Sequence, residues 1–275
     1  MADIRMRRGF VDTLDGQMFY REMGEGSPIV LIHQILRTSL DYRLVMPLLG
    51  RSHRVIAFDW MGCGDSDAPP KPYTLEEHGS AICSALAELG ISGAAVAGHH
   101  SGADVAMEVA LQRPDIVSCV ILSGLAYVGD TTMLRELHAK ASKLADPVPR
   151  IDGTHLLDLW REGLQTNWGK PRLPADRLDL LSEFFLEQVK TGSRRFEPYV
   201  MQFSYDASKK LPLVSVPILF IRASDDVHIC SASDEWLRDQ PAARLVEIRV
   251  EGGGEMPRLY PEPWAKAILD FVDRR

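Results

Sequence analysis

The chain is poor in the features that would tie it to a membrane, a nucleic acid or a disulfide framework. Its four cysteines, Cys63, Cys83, Cys119 and Cys230, are scattered over 275 residues without a CxxC pair, a usage that suits reduced thiols in a cytoplasmic protein. No apolar run approaches the roughly 18 residues of a membrane span. The formal charge is −7 and no basic block offsets it, which argues against a general nucleic-acid binder. Met1–Arg8 carries three arginines but no apolar stretch follows them, so no signal peptide is expected. Low-complexity tracts and solenoid periods are also missing. What remains is ordinary for a soluble globular protein: 45% apolar and 25% charged residues, 21 Gly and 17 Pro, in a length that can bury a large core in one or two domains.

The apolar residues are arranged in short runs. Phe10–Leu14 and Gln17–Arg21 flank Asp15-Gly16, a dipeptide favoured in tight hairpin turns. Strand-length runs follow at Pro28–His33, Arg54–Phe58, Ala94–Ala97, Val117–Leu122, Pro217–Ile221 and Leu245–Val250. Helical patterns lie between or after them at Leu75–Leu89, Gly102–Gln112 and Pro263–Val272. Continuous apolar strands alternating with helices predict an α/β protein with a mostly parallel sheet covered on both faces. From about Thr131 to Lys210 the rhythm breaks. Only amphipathic segments such as Thr132–Leu144, His155–Leu164 and Leu178–Thr191 occur there, punctuated by prolines. The expected organisation is a core of residues 1–130 and 211–275 with a helical cap at 131–210; ordinary covering helices are the alternative.

Several segments then resemble, in the correct order, the α/β-hydrolase superfamily, in particular its capped branch with haloalkane dehalogenases, epoxide hydrolases and small-molecule esterases. VIAFDWMGCGDSDAP matches a strand followed by D-x-x-G-x-G-x-S at Asp59, Gly62, Gly64 and Ser66. IVLIHQ matches the strand whose loop helps form the oxyanion hole. VAGHHSGADVAMEVALQRP matches the strand, nucleophile elbow and helix; VPILFIRASDD matches the strand before the catalytic acid. EGGGEMPRLYPEPWAKAILDFV matches the loop and last helix that normally carry the catalytic histidine. The resemblance covers essentially the whole chain and implies the α/β-hydrolase fold.

The same resemblance exposes what is missing. A nucleophile elbow needs glycines around its strained central residue, and Gly98 and Gly102 bracket His100, not a serine. Centring the elbow on Ser101 would place His99 and Ala103 at the glycine positions, so Ser101 is expected to cap the following helix through its hydroxyl while its backbone N–H faces an oxyanion. The acid position falls on Asp226, with Asp225 as a turn residue and Asp130 as a backup, and the histidine position on Glu255. Gln34 replaces the glycine of the His-Gly pair. The predicted catalytic set is His100, Asp226 and Glu255, with His33, Gln34, Ser101, His99 and Trp60 as oxyanion or substrate-binding residues. Acyl transfer through a serine ester requires a hydroxyl and an imidazole at positions that here hold neither.

An imidazole beside carboxylates is a competent general base, because its ordinary pKa is near neutrality and a carboxylate stabilises the imidazolium. The first expectation is therefore an enzyme acting on a small organic substrate, apolar or aromatic in view of the aromatic residues at 160–199, with His100 as base or nucleophile and hydrolysis as the reaction. The same base could serve a lyase, isomerase, cyclase, decarboxylase or cofactor-free oxygenase. A metal-dependent enzyme, with His33, His99 or His228 joining the carboxylates, is a second class, although no local metal motif occurs. A non-catalytic ligand-binding protein is the third. Cys230, close behind Asp226, reads as a buried thiol. No cofactor and no metal are assigned, the partner is a small-molecule substrate with neither nucleic acid nor membrane, and a homodimer stays open.

Overall fold

The computed structural model describes residues 5–125, 131–143, 148–163, 177–191, 197–224, 243–249 and 256–274. Eight strands form one sheet: β1 (Arg7–Thr13), β2 (Gly16–Met23), β3 (Pro28–Ile32), β4 (Arg54–Phe58), β5 (Ala94–His99), β6 (Val117–Ser123), β7 (Ile218–Ala223) and β8 (Ala243–Ile248). Their order is β1-β2-β4-β3-β5-β6-β7-β8. The β1–β2 and β2–β4 pairs are antiparallel and the rest are parallel. The hairpin turn predicted at Asp15-Gly16 closes with Thr13 opposite Gly16, which takes a φ of 130° open to glycine.

The helices are α1 (Met46–Leu49), α2 (Leu75–Glu88), α3 (Ser101–Gln112), α4 (Thr131–Ala141), α5 (Thr154–Gly163), α6 (Leu178–Thr191), α7 (Glu197–Ser204), α8 (Ala207–Lys210), α9 (Met256–Leu259) and α10 (Pro261–Val272). Helix α2 starts on a capping box, in which Thr74 accepts from the Glu77 N–H and Glu77 reaches back to the Thr74 N–H. Two apolar clusters sandwich the sheet. One joins Val30, Ile32, Ile56 and Val96 to α2 and α3; the other joins Ile29, Leu31, Val55 and Ile121 to α1 and α10. Strands buried on both faces explain why the central runs read as continuous rather than alternating. Each fully buried aliphatic side chain contributes about 1.5–3 kcal/mol. Helices α4 to α8 lie in sequence between β6 and β7, and α6 packs on the loop after β3. Among the described residues no helix is long and apolar enough to cross a membrane.

Several element ends differ by a few residues from the sequence reading, and two of them have a visible cause. The last strand runs Ala243–Ile248 rather than Leu245–Val250, because its ladder with β7 begins at Ala243 opposite Ile218. Helix α10 begins at Pro261, two residues before the expected start, since proline is well placed in a first helical turn.

Candidate active site

Strand β5 runs straight into α3 through His100, whose φ of 47° and ψ of −123° lie in a sparsely populated region for a residue with a side chain. The two flanking glycines make this possible. A Cβ at Gly98 would sit 1.9 Å from the Gly102 carbonyl oxygen, and one at Gly102 would sit 2.1 Å from that of Ile32. The turn is fixed further by the His100 N–H donating to the Ser123 carbonyl at 2.8 Å. His100 is half-buried at the end of an otherwise buried strand. Sequence spacing and backbone geometry therefore agree that the imidazole occupies the central position of the elbow.

Ser101 does not cap α3. Its hydroxyl accepts the Ile35 N–H at 2.7 Å, and α3 has no side-chain cap. The hydroxyl thus ties the elbow to the loop after β3, and the uncapped helix start leaves first-turn N–H groups for an acceptor. His99 is fully buried. Its Nδ1 pairs with the Ser123 hydroxyl at 3.0 Å, the same hydroxyl accepts the Trp264 indole N–H at 2.9 Å, and the His99 ring lies 4.3 Å from that of His100. It supports the elbow from inside the fold.

His33 is also fully buried and both of its ring nitrogens are used. Nε2 accepts the Trp60 backbone N–H at 3.0 Å, so Nδ1 carries the proton and donates to the Gln34 carbonyl at 2.8 Å. Burial pulls its pKa below the ordinary value, partly opposed by Asp59. The imidazole is a neutral splint for the loop, stacked on the buried Trp60 ring at 5.2 Å. Trp60 also packs on His78 at 4.9 Å, and its indole N–H has no hydrogen-bond partner among the described residues. Gln34 is half-buried, and its side-chain amide makes no hydrogen bond among the described residues. Of the five residues expected to form the oxyanion and binding region, His33, His99 and Trp60 are buried in the wall of the fold, Ser101 is tied to the loop after β3, and Gln34 is half-buried.

The D-x-x-G-x-G-x-S stretch is a structural brace. Asp59 accepts the Ser39 N–H at 2.6 Å and the Asp65 N–H at 3.0 Å, and Ser66 donates to the Asp59 carbonyl at 2.8 Å. A Cβ on Gly64 would fall 1.9 Å from the Asp59 carboxylate. Above it, α6 grips the loop after β3. Gln188 donates to the Leu36 carbonyl at 2.6 Å and Thr38 to Glu187 at 2.6 Å. Arg258, in α9, bridges Asp41 and Glu187 at 2.6 Å each, with Arg37 3.6 Å from Glu187. All four charged side chains are at most 3% exposed. Burial raises the Glu187 pKa while Arg258 opposes the rise.

Asp226 and Glu255, with Asp130, Asp225, His228 and Cys230, lie outside the described residues. Among those described, no group of three His, Cys, Asp or Glu side chains is placed to hold a metal. The sequence reading missed one acid close to His100. Asp104, a turn further along α3, is fully buried, and burial pushes its carboxyl up to about 7 against the opposing pull of Gln202 and His100. A signal was available: Asp104 and Glu108 are acids in a helix that is buried throughout residues 101–110 and so offers no polar face to hold them.

With this geometry in place, the comparisons agree on the class. A sequence profile of the alpha/beta hydrolase fold matches residues 27–178, and the chain belongs to the α/β-hydrolase superfamily of enzymes. It is 26% identical over 266 residues to a putative carbamate hydrolase RutD of Azorhizobium caulinodans, covering 94% of this chain and 95% of that one. It is 24% identical to the 2-(acetamidomethylene)succinate hydrolase of Mesorhizobium japonicum, over 92% of this chain and 90% of the relative. The crystal structure of the enol-lactonase from Burkholderia xenovorans LB400 superposes with a TM-score of 0.74 at 22% identity, covering 96% of this chain and all of the other.

Proposed function

We propose that this protein hydrolyses a small carbonyl compound, an ester, lactone, carbamate or amide, with His100 as the general base that activates water at the elbow. The observation that carries the reading is the pairing of His100 at the strained central position with a Ser101 hydroxyl already committed to the Ile35 N–H. The imidazole takes one proton from water as the oxygen adds to the carbonyl carbon, and gives it to the leaving oxygen or nitrogen as the carbonyl reforms and the bond to that atom breaks. The developing oxyanion is received by the Ser101 N–H and by the Gln34 side, where donors of this kind contribute about 10²–10³-fold each. Either Asp226 or Glu255 orients the imidazole and stabilises its protonated form. Helices α4 to α7 act as a cap that selects the substrate. The relatives support this class, one being a putative carbamate hydrolase and another a 2-(acetamidomethylene)succinate hydrolase.

The test is a panel of small esters, lactones, carbamates and enamides assayed with wild type, His100→Ala and Ser101→Ala. A positioned base is worth about 10²–10⁴-fold, so His100→Ala loses that much turnover while Ser101→Ala retains most of it. A Ser101→Ala variant as inactive as His100→Ala would return the nucleophile to the serine and overturn the reading.

A further inference from the structure

The two buried acids of α3 are treated differently. Glu108 is fully compensated: it accepts from the Tyr205 hydroxyl at 2.7 Å and Gln112 at 3.2 Å, and Lys210 lies 3.0 Å away. Among the described residues Asp104 has no cation of this kind. One carboxyl oxygen, Oδ2, accepts the Gln202 amide N–H at 2.7 Å. The other, Oδ1, is buried without a hydrogen-bond partner among the described residues, and so is the Gln202 Oε1. Two orphaned acceptors flank one good hydrogen bond, a costly arrangement in a buried site.

A single proton removes both defects. A protonated Asp104 donates from Oδ1 to the amide oxygen while the amide nitrogen donates to Oδ2, so acid and amide satisfy each other along both edges. His100 ends the elbow immediately before this helix, a turn ahead of Asp104, and its charge acts on Asp104. We propose that Asp104 and Gln202 form an acid–amide pair that stores one proton beside the elbow, and that Asp104 is a positioning residue which sets the basicity of His100. The other titratable group acting on Asp104 is Glu108 on its own helix, and Asp104 in turn acts on Tyr205 just beyond α7. Glu108 disfavours the ionised form; Gln202 and His100 favour it. In the acid form Asp104 adds no charge to the site. Once ionised it stabilises the imidazolium, so the two groups titrate as a coupled pair. The effect on catalysis rests on His100 being the base; the stored proton does not.

The experiment needs no substrate. Infrared difference spectra of wild type labelled with ¹³C-aspartate, between about pH 5 and about pH 9, are compared with those of Asp104→Asn, and the His100 ring is titrated by ¹⁵N NMR in both. The asparagine amide reproduces both hydrogen bonds of the protonated pair, so this variant is locked in the uncharged state. The expected result is a protonated-carboxyl band that disappears near neutrality in wild type and is missing in Asp104→Asn, with the His100 midpoint lowered by about one unit in the variant. Gln202→Leu should shift the infrared transition, and assigns the band if Asp104→Asn does not fold. Asp104 found ionised at about pH 5, or an unmoved His100 midpoint, overturns the proposal. Neither outcome depends on the turnover of His100→Ala, so the two readings fail separately.

Discussion

Two buried polar clusters stand on either side of the elbow, and they are built on opposite plans. Between α6 and the loop after β3, Arg37 and Arg258 face Asp41 and Glu187, so the buried charges are matched two against two. On α3, Asp104 faces a neutral amide and a histidine. A matched cluster compensates its charges and serves as a clamp; an unmatched acid holds a proton and can give it up. Burial alone therefore does not mark function. Whether the charge is compensated separates the clamp from the group poised to titrate.

The strongest way to break the comparison is to unbalance the clamp. Glu187→Ala leaves Arg258 with half its partners and takes the anchor from Thr38, and removing one member of a buried ion cluster costs about 3–5 kcal/mol. Chemical denaturation at neutral pH measures it, and a loss below about 1 kcal/mol would mean the cluster is not a clamp. Next comes acid. His78 is buried between Trp60 and Tyr73, and burial, with the nearby His33, lowers its pKa to about 3. The unfolded chain thus binds the proton first. The stability His78 provides is complete above about pH 6.5 and falls as pH drops towards 3, by roughly 3 kcal/mol at pH 4. His78→Phe should flatten that acid limb, as read from thermal melts over the same window.

Asp104 has the opposite sign. Its folded pKa is raised, so the native state holds the proton longer, and stability falls as pH rises from about 4 to about 7. Asp104→Asn should gain about 1–3 kcal/mol at pH 8 and nothing at pH 4. An equal loss at both pH values would place Asp104 with the compensated groups. The smallest effect is expected at Ser101. Ser101→Ala leaves the half-buried Ile35 N–H without its acceptor, at a cost of about 1–2 kcal/mol that denaturant melts can resolve.

The sheet was legible because its central strands are buried on both faces, and Leu178–Thr191 was legible as a helix from its apolar period alone. The elbow was legible from Gly98 and Gly102, whose missing Cβ atoms the close packing demands. Ser101 was misread as a cap because its actual partner, Ile35, is 66 residues away and no local pattern carries that contact. The roles of His33 and His99 were hidden for the same reason. Their partners, Trp60 and Ser123, come from other strand ends brought alongside by the parallel sheet. Asp104 was visible as a charge in an apolar helix, but its meaning depends on Gln202, which only the tertiary fold brings to it.

The central claim, that the imidazole at the elbow does the chemistry, is tested most directly by measuring kcat for an identified small carbonyl substrate with wild type and His100→Ala, without and with added imidazole. The account predicts a fall of about 10²–10⁴-fold, with KM little changed and turnover partly restored as imidazole is raised. An undiminished kcat in His100→Ala would contradict it.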